Sequence, residues 1–189
     1  MNRDQLSTIE HHFEQIMLAM NLDLNDPNYT QTPRRFAKAY NEIFAGLDED
    51  ADEELEKILK VTFPASYNEM VLAKNLQSWS MCPHHFLPVK LRVDIAYIPD
   101  EKVIGISKLP RMVNLLAARP CLQEQLTTDI VTKIDEVLKP KGAIVRLTGE
   151  HLCMTMRGVK SNNSSIITTA FLGCFEDQTS RSEFFDALK

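Results

Sequence analysis

Between Val89 and Tyr97 the chain alternates, with Ala96 the one apolar residue on the polar parity. Val89, Leu91, Val93, Ile95 and Tyr97 fall on one parity, and Lys90, Arg92, Asp94 and Ala96 on the other. A period of two held over this length marks a strand with one buried face, so the chain must build a sheet and cover one side of it. The segment from Met70 to Met81 is the natural partner, with Cys82-Pro83-His84-His85 near the connection. The cover is also legible. Ser107 can cap a helix running to about Ala118, and Arg119-Pro120 breaks it. Leu122, Leu126, Ile130, Ile134, Val137 and Leu138 then recur at helical spacing, until Pro140 and Gly142 end that helix. Two further strands are predicted, over Ala143–Arg157 and Ser165–Phe175.

The first part of the chain reads differently. Leu6, Ile9, Phe13, Ile16, Met17 and Met20 line one helix. Asn21 to Gln31 is a polar loop holding Asp26-Pro27. Thr32-Pro33 looks like a cap followed by proline, opening a helix through Phe36, Ala37, Tyr40, Ile43 and Phe44 that Gly46 is placed to end. Asp48 to Glu54 is an acidic linker or helix start. The expected fold is α+β: an antiparallel sheet with two helices on one face in the order ββααββ, over residues 61–189, after an N-terminal helical segment, residues 1–60.

With 189 residues, 44% of them hydrophobic, the chain can bury one real core. A net charge of -5 argues against a general nucleic-acid coat. Apolar runs such as Leu115-Leu116-Ala117-Ala118 are far too short to span a bilayer, and Met1-Asn2-Arg3-Asp4 lacks an apolar signal core. A cytoplasmic protein is expected, with no membrane and no nucleic acid among its partners. Cys82, Cys121, Cys153 and Cys174 are too few and scattered for a disulfide framework. Cys121 and Cys174 read as ordinary buried cysteines, and His11 and His12 as a surface pair on the first helix.

The other three histidines each lie within three residues of a cysteine. Cys82-x-x-His85 is a tight sulfur–nitrogen pair, and His151-x-Cys153 is a second one. If the strand continues to Arg157, then His151, Cys153, Thr155 and Arg157 share one face. Cys82, His85 and Cys153 would make a three-ligand zinc site with an open fourth position, leaving His84 and His151 for proton transfer. A closed structural site with His151 as fourth ligand, or no metal at all, fits the same spacing. Ser107-Lys108-Leu109-Pro110-Arg111 opens a helix with two cations. With Arg157 and with Arg35, just inside another helix start, it would suit a polyphosphate. No glycine-rich Walker loop is present.

Taken together these residues resemble the GTP cyclohydrolase I family. The resemblance runs through Thr32-Pro33-Arg34-Arg35-Phe36-Ala37-Lys38, Cys82-Pro83-His84-His85 and Gly105-Ile106-Ser107-Lys108-Leu109-Pro110-Arg111. It continues through Arg119-Pro120-Cys121-Leu122-Gln123-Glu124, His151-Leu152-Cys153-Met154-Thr155-Met156-Arg157-Gly158 and Thr179-Ser180-Arg181-Ser182-Glu183-Phe184. Where the family usually carries glutamate this chain has Pro83, so a carboxylate beside the site is missing.

The resemblance implies the tunnelling fold, five subunits closing a barrel and two rings stacked into a homodecamer. It implies Zn2+ on Cys82, His85 and Cys153, with His84 and His151 carrying protons. Gln123 and Glu124 would hold the guanine of GTP. Lys108, Arg111, Arg157 and Arg35 would hold the triphosphate, Arg35 at a site completed by a neighbouring subunit, and Ser107 would lie near the ribose. The implied reaction is hydrolysis of GTP to formate and 7,8-dihydroneopterin triphosphate, the entry to pterin and folate synthesis. A pyruvoyl-tetrahydropterin synthase-like protein would show three histidine ligands, and a nitrile reductase-like one a lone catalytic cysteine. A zinc-stabilised interaction module would show four closed ligands and no turnover.

Overall fold

The alternating segment forms the centre of the sheet in the computed structural model, which describes residues 1–189. This strand, β3 (Pro88–Ile98), pairs antiparallel with β2 (Val71–Met81) on one side and β5 (Gly142–His151) on the other. β6 (Ile166–Gly173) completes the order β2-β3-β5-β6. The register Val89↔His151 to Ile98↔Gly142 is unbroken, so the apolar parities of β3 and β5 face the same way.

Onto that face pack α4 (Lys108–Ala117) and α5 (Gln123–Leu138). Leu109, Met112, Val113 and Leu116 of α4 join Leu126, Ile130, Ile134 and Leu138 of α5. They close one core over Leu91, Val93, Ile95, Tyr97, Val145 and Leu147. The i, i+4 spacing of the α5 leucines and isoleucines turns a single stripe toward the sheet. A short pair of strands, β1 (Thr62–Pro64) and β4 (Lys102–Ile104), sits beside this core. The Ile104 N–H donates to the Tyr97 hydroxyl at 3.3 Å, joining the small sheet to the large one.

Helices α1 (Arg3–Ala19) and α2 (Thr32–Ile43) form a hairpin ahead of this unit, followed by α3 (Ala51–Leu59). Phe13 stacks on Phe36 with ring centroids 3.6 Å apart, and Phe36 on Tyr40. Of the apolar residues read on α1, Met17 is buried, whereas Ile16 and Met20 stand exposed, as does Leu18. α1 opens with a capping box in which Asn2 and Gln5 each bond the other's backbone N–H.

Several details depart from expectation. α2 begins at Thr32 itself, with Gln31 at the cap position and no side-chain cap bond. Gly46 does not end α2. It lies in a 3-10 turn, Ala45–Leu47, with its N–H on Ala118 O, and a Cβ there would meet Leu115 O at 2.6 Å. Its need is close backbone approach rather than a helix terminus. Cys121 and Cys174 are partly buried rather than fully so, each packed at a core's edge.

The helical cover is not confined to one face. After β6 a second 3-10 turn, Cys174–Glu176, leads into α7 (Gln178–Ala187). Phe175 and Phe184 pack on Ala96 and Ile144, the opposite parity of β3 and β5. Asp177 caps α7 through the N–H groups of Thr179 and Ser180, and Arg181 lies over the Phe171 ring and donates to Phe175 O and Glu176 O.

Strand β5 stops at His151, not Arg157. Pairing with β6 ends at Gly149↔Ile166, and the next four residues after the strand form one helical turn, α6 (Leu152–Thr155). Gly158, Lys160 and Asn163 then take positive φ, outside the extended range of a strand. Cys153, Thr155 and Arg157 therefore do not share a strand face with His151.

Candidate metal and nucleotide site

Two chain segments meet at the open end of the β3–β5 ladder. The first is the tight turn after β2. Cys82 N–H donates to Leu87 O and Phe86 N–H to Cys82 O, with Phe86 at φ +50°, so Cys82 and His85 are folded back on one another. Cys82 Sγ lies 3.8 Å from His85 Nδ1 and 4.0 Å from His84 Nδ1. The second is α6, whose turn brings Cys153 back toward Cys82. The donor atoms of Cys82, His85 and Cys153 all lie within 4.8 Å of one another. Cys82 is buried, Cys153 half-buried and His85 exposed.

Two thiols and an imidazole at these separations fit one tetrahedral ion with bonds of about 2.0–2.3 Å, and the softness of the donor set favours zinc over magnesium or calcium. Burial raises the Cys153 thiol above its usual range. The adjacent Cys82 sulfur raises it further, and the nearby Arg157 charge opposes the rise. Ionising two neighbouring thiols calls for a cation between them. Among residues proposed from sequence, His84 and His151 fall outside this group of three donors.

His151 ends β5 half-buried, and its Nε2 lies 2.9 Å from Gln123 Oε1. Burial lowers its pKa, partly offset by the charge of Glu124. Gln123 is the first residue of α5 and only 5% exposed. Its amide nitrogen donates to Ile166 O and Thr168 Oγ1, each at 3.0 Å, so its side chain is committed to protein partners. Glu124, next along α5, is exposed. Gly149 faces Gln123 across β5, where a Cβ would stand 2.2 Å from Gln123 Oε1. Sequence reasoning missed Gly149, Thr127 and Thr168. A glycine inside a strand is the one signal that pointed to a close approach here.

Ser107 occupies the cap position of α4 in helical backbone geometry, without a side-chain cap bond, so its exposed hydroxyl is free. Lys108 and Arg111 follow in the first turn. Arg157 is exposed beyond α6, and Arg35 is exposed in the first turn of α2. None of these four cations enters an ion pair within the chain; the salt bridges of the molecule lie elsewhere, as at Arg119–Asp52 and Lys133–Glu136.

The family model described as GTP cyclohydrolase I matches residues 9–189. A GTP cyclohydrolase 1 of Bacillus cytotoxicus is 42% identical over 191 aligned positions, covering 100% of this chain and 99% of its own. One from Campylobacter curvus is 41% identical, covering 96% of this chain and 94% of its own. Among solved structures, the archaeosine synthase QueF-Like in the apo form aligns with 55% of this chain and 93% of its own, at 22% identity and a TM-score of 0.45.

Proposed function

The chain belongs to the GTP cyclohydrolase I family, and on that premise we propose that it converts GTP and water to formate and 7,8-dihydroneopterin triphosphate, with zinc held by Cys82, His85 and Cys153. The observation that carries this reading is the convergence of two thiols and one imidazole as a group of three, which leaves a tetrahedral ion one position for water or substrate. A zinc ion bound there supplies a Lewis acid and a water of lowered pKa.

The remaining work falls to the chain. Glu124, exposed beside His151, accepts from the N–H groups of the guanine edge. His151, held on Gln123, takes up the proton shed by the attacking water and hands it to the imidazole-ring nitrogen of the base as that ring opens. His84 and Ser107 assist the later rearrangement of the ribose; a free hydroxyl at the head of α4 supports that role for Ser107. Lys108, Arg111 and Arg157, unpaired within the chain, grip the triphosphate through charge-assisted hydrogen bonds. That grip keeps the opened intermediate in place through several steps.

Arg35 completes the triphosphate site from a neighbouring copy, in a homo-oligomer built of pentameric rings. The sheet supports such an assembly: β2 and β6 are its two edges, with Trp79, Ile167 and Phe171 exposed along them. Unpaired edges of this kind are satisfied by closing a ring of strands.

Incubating the protein with GTP and measuring formate together with the fluorescence of the oxidised pterin tests the reading. Stoichiometric formate and pterin, abolished by a chelator and restored by zinc, is the expected result. Zinc bound without turnover of GTP overturns it.

A further inference from the structure

We infer that Gln123 is a positioning residue that fixes the tautomer of His151, placing the hydrogen on Nε2 and leaving Nδ1 as the nitrogen that meets the substrate. The inference rests on the role proposed for His151 and adds which of its atoms does the work.

Donors and acceptors decide the matter. The Gln123 side chain is buried between α5, β5 and β6, where water does not replace a missing partner. Ile166 O, 3.0 Å from one end of its amide, is a backbone carbonyl and can only accept. That end is therefore the NH2 group, and the other end, facing His151, is the carbonyl Oε1. Oε1 can also only accept, so His151 Nε2, 2.9 Å away, carries the hydrogen. In neutral imidazole the other ring nitrogen then holds the lone pair.

The hydroxyls behind Gln123 point the same way. Thr127 Oγ1 lies 2.7 Å from Gln123 O, four residues back along α5, and donates to it. Having given its one hydrogen, Thr127 accepts from Thr168 at 2.6 Å. Thr168 has then given its own hydrogen, so it accepts from Gln123 Nε2 at 3.0 Å. Each hydrogen in the chain has one consistent place. Reversing the amide would set Oε1 against Ile166 O and against a hydroxyl with no hydrogen left to give. Gly149 makes the arrangement possible, since any side chain there would occupy the position of Oε1.

The test is 15N NMR of the zinc-loaded protein labelled at histidine and recorded above neutral pH. The His151 resonances are identified by their absence from His151→Gln. The expected spectrum shows a pyrrole-type Nε2 and a pyridine-type Nδ1. The opposite tautomer, or an even average of the two, in the wild type overturns the inference without any variant being made. Gln123→Leu, which keeps bulk but removes the acceptor, should average the two tautomers. It should also lower kcat by about tenfold or more, with KM for GTP nearly unchanged. A raised KM with the wild-type spectrum and kcat would make Gln123 a base-binding residue and end the inference. An averaged tautomer with full kcat would instead remove His151 from the proposed proton step, while the positioning by Gln123 stands.

Discussion

The three clustered donors are held by two local devices, the turn after β2 for Cys82 and His85 and α6 for Cys153, and this separates the consequences of losing them. Cys153 enters through α6 alone, so Cys153→Ala leaves the β2–β3 turn intact but reduces the set to two donors. Bound zinc per chain, measured by atomic absorption after dialysis, should fall together with formate release. His151→Ala should keep its zinc and lose turnover by about 10²-fold or more. Full zinc in the first variant, or lost zinc in the second, would redraw the ligand set. Under the proposed function Glu124 acts on the base. A carboxylate satisfied by guanine N–H groups is left short by a base without the exocyclic amine, at about 1–3 kcal/mol. The wild type should prefer GTP to ITP, and Glu124→Ala should lose most of that preference. Competition between the two nucleotides in one assay measures it. The chemistry of these residues was legible in sequence because thiols and imidazoles set this close together suit a metal, and guanidiniums at helix starts suit an anion. The geometry behind them was not. The resemblance gave Gln123 the guanine, and its bond to His151 comes into view only when Gly149, from a strand far along the chain, is seen beneath it.

At the scale of elements, periodicity served where one partner covers one face. β3 and α5 appear within a residue or two of their expected limits because their apolar residues repeat without interruption. It failed where a segment's role depends on distant contacts. Leu152 to Met156 looks like the continuation of β5, yet no strand remains beside it to pair with, and it turns into α6. α7 has a weak apolar stripe, and only Phe184 is buried in it, so nothing local announces that it covers the second face of the sheet. What holds its start is Asp177. The N–H groups of Thr179 and Ser180, at 2.7 and 3.3 Å, hold that carboxyl below its usual pKa. A carboxyl depressed in the folded state stabilises above its unfolded pKa and loses that contribution as pH falls through the folded value. Asp177→Ala should therefore lower Tm at neutral pH, and the gap from wild type should narrow as pH drops below about 4. Thermal scans of the two proteins across that range decide it. A gap unchanged with pH would mean that the cap's charge contributes nothing.

For the whole molecule, the N-terminal hairpin and the sheet differ in how complete they are. The sheet unit has its own core, whereas α1 shows Ile16, Leu18 and Met20 to solvent, and Arg35 extends from α2 without a partner. No helix is long and apolar enough to cross a membrane. Under the proposed assembly a neighbouring copy covers the exposed face of α1, and Arg35 reaches that copy's triphosphate. Arg35→Ala and Cys153→Ala, each poor alone, should then recover formate release when unfolded together and co-refolded, because some sites combine an intact donor set with an intact arginine. Mixed oligomers no more active than the separate variants would argue against sites divided between chains. The ladder between β3 and β5 has a further consequence, one of timing. Cys82 and His85 belong to a turn joining neighbouring strands, which should close early. Cys153 follows β5, whose pairing with β3 spans α4 and α5 in sequence and should therefore form later. During refolding the first two donors should be ready long before the third. Tight zinc capture, followed by competition with a chromogenic chelator in stopped flow, should lag behind the first burst of helix and hairpin formation. It should keep pace with burial of the central core, so that the metal clocks the moment the sheet is finished.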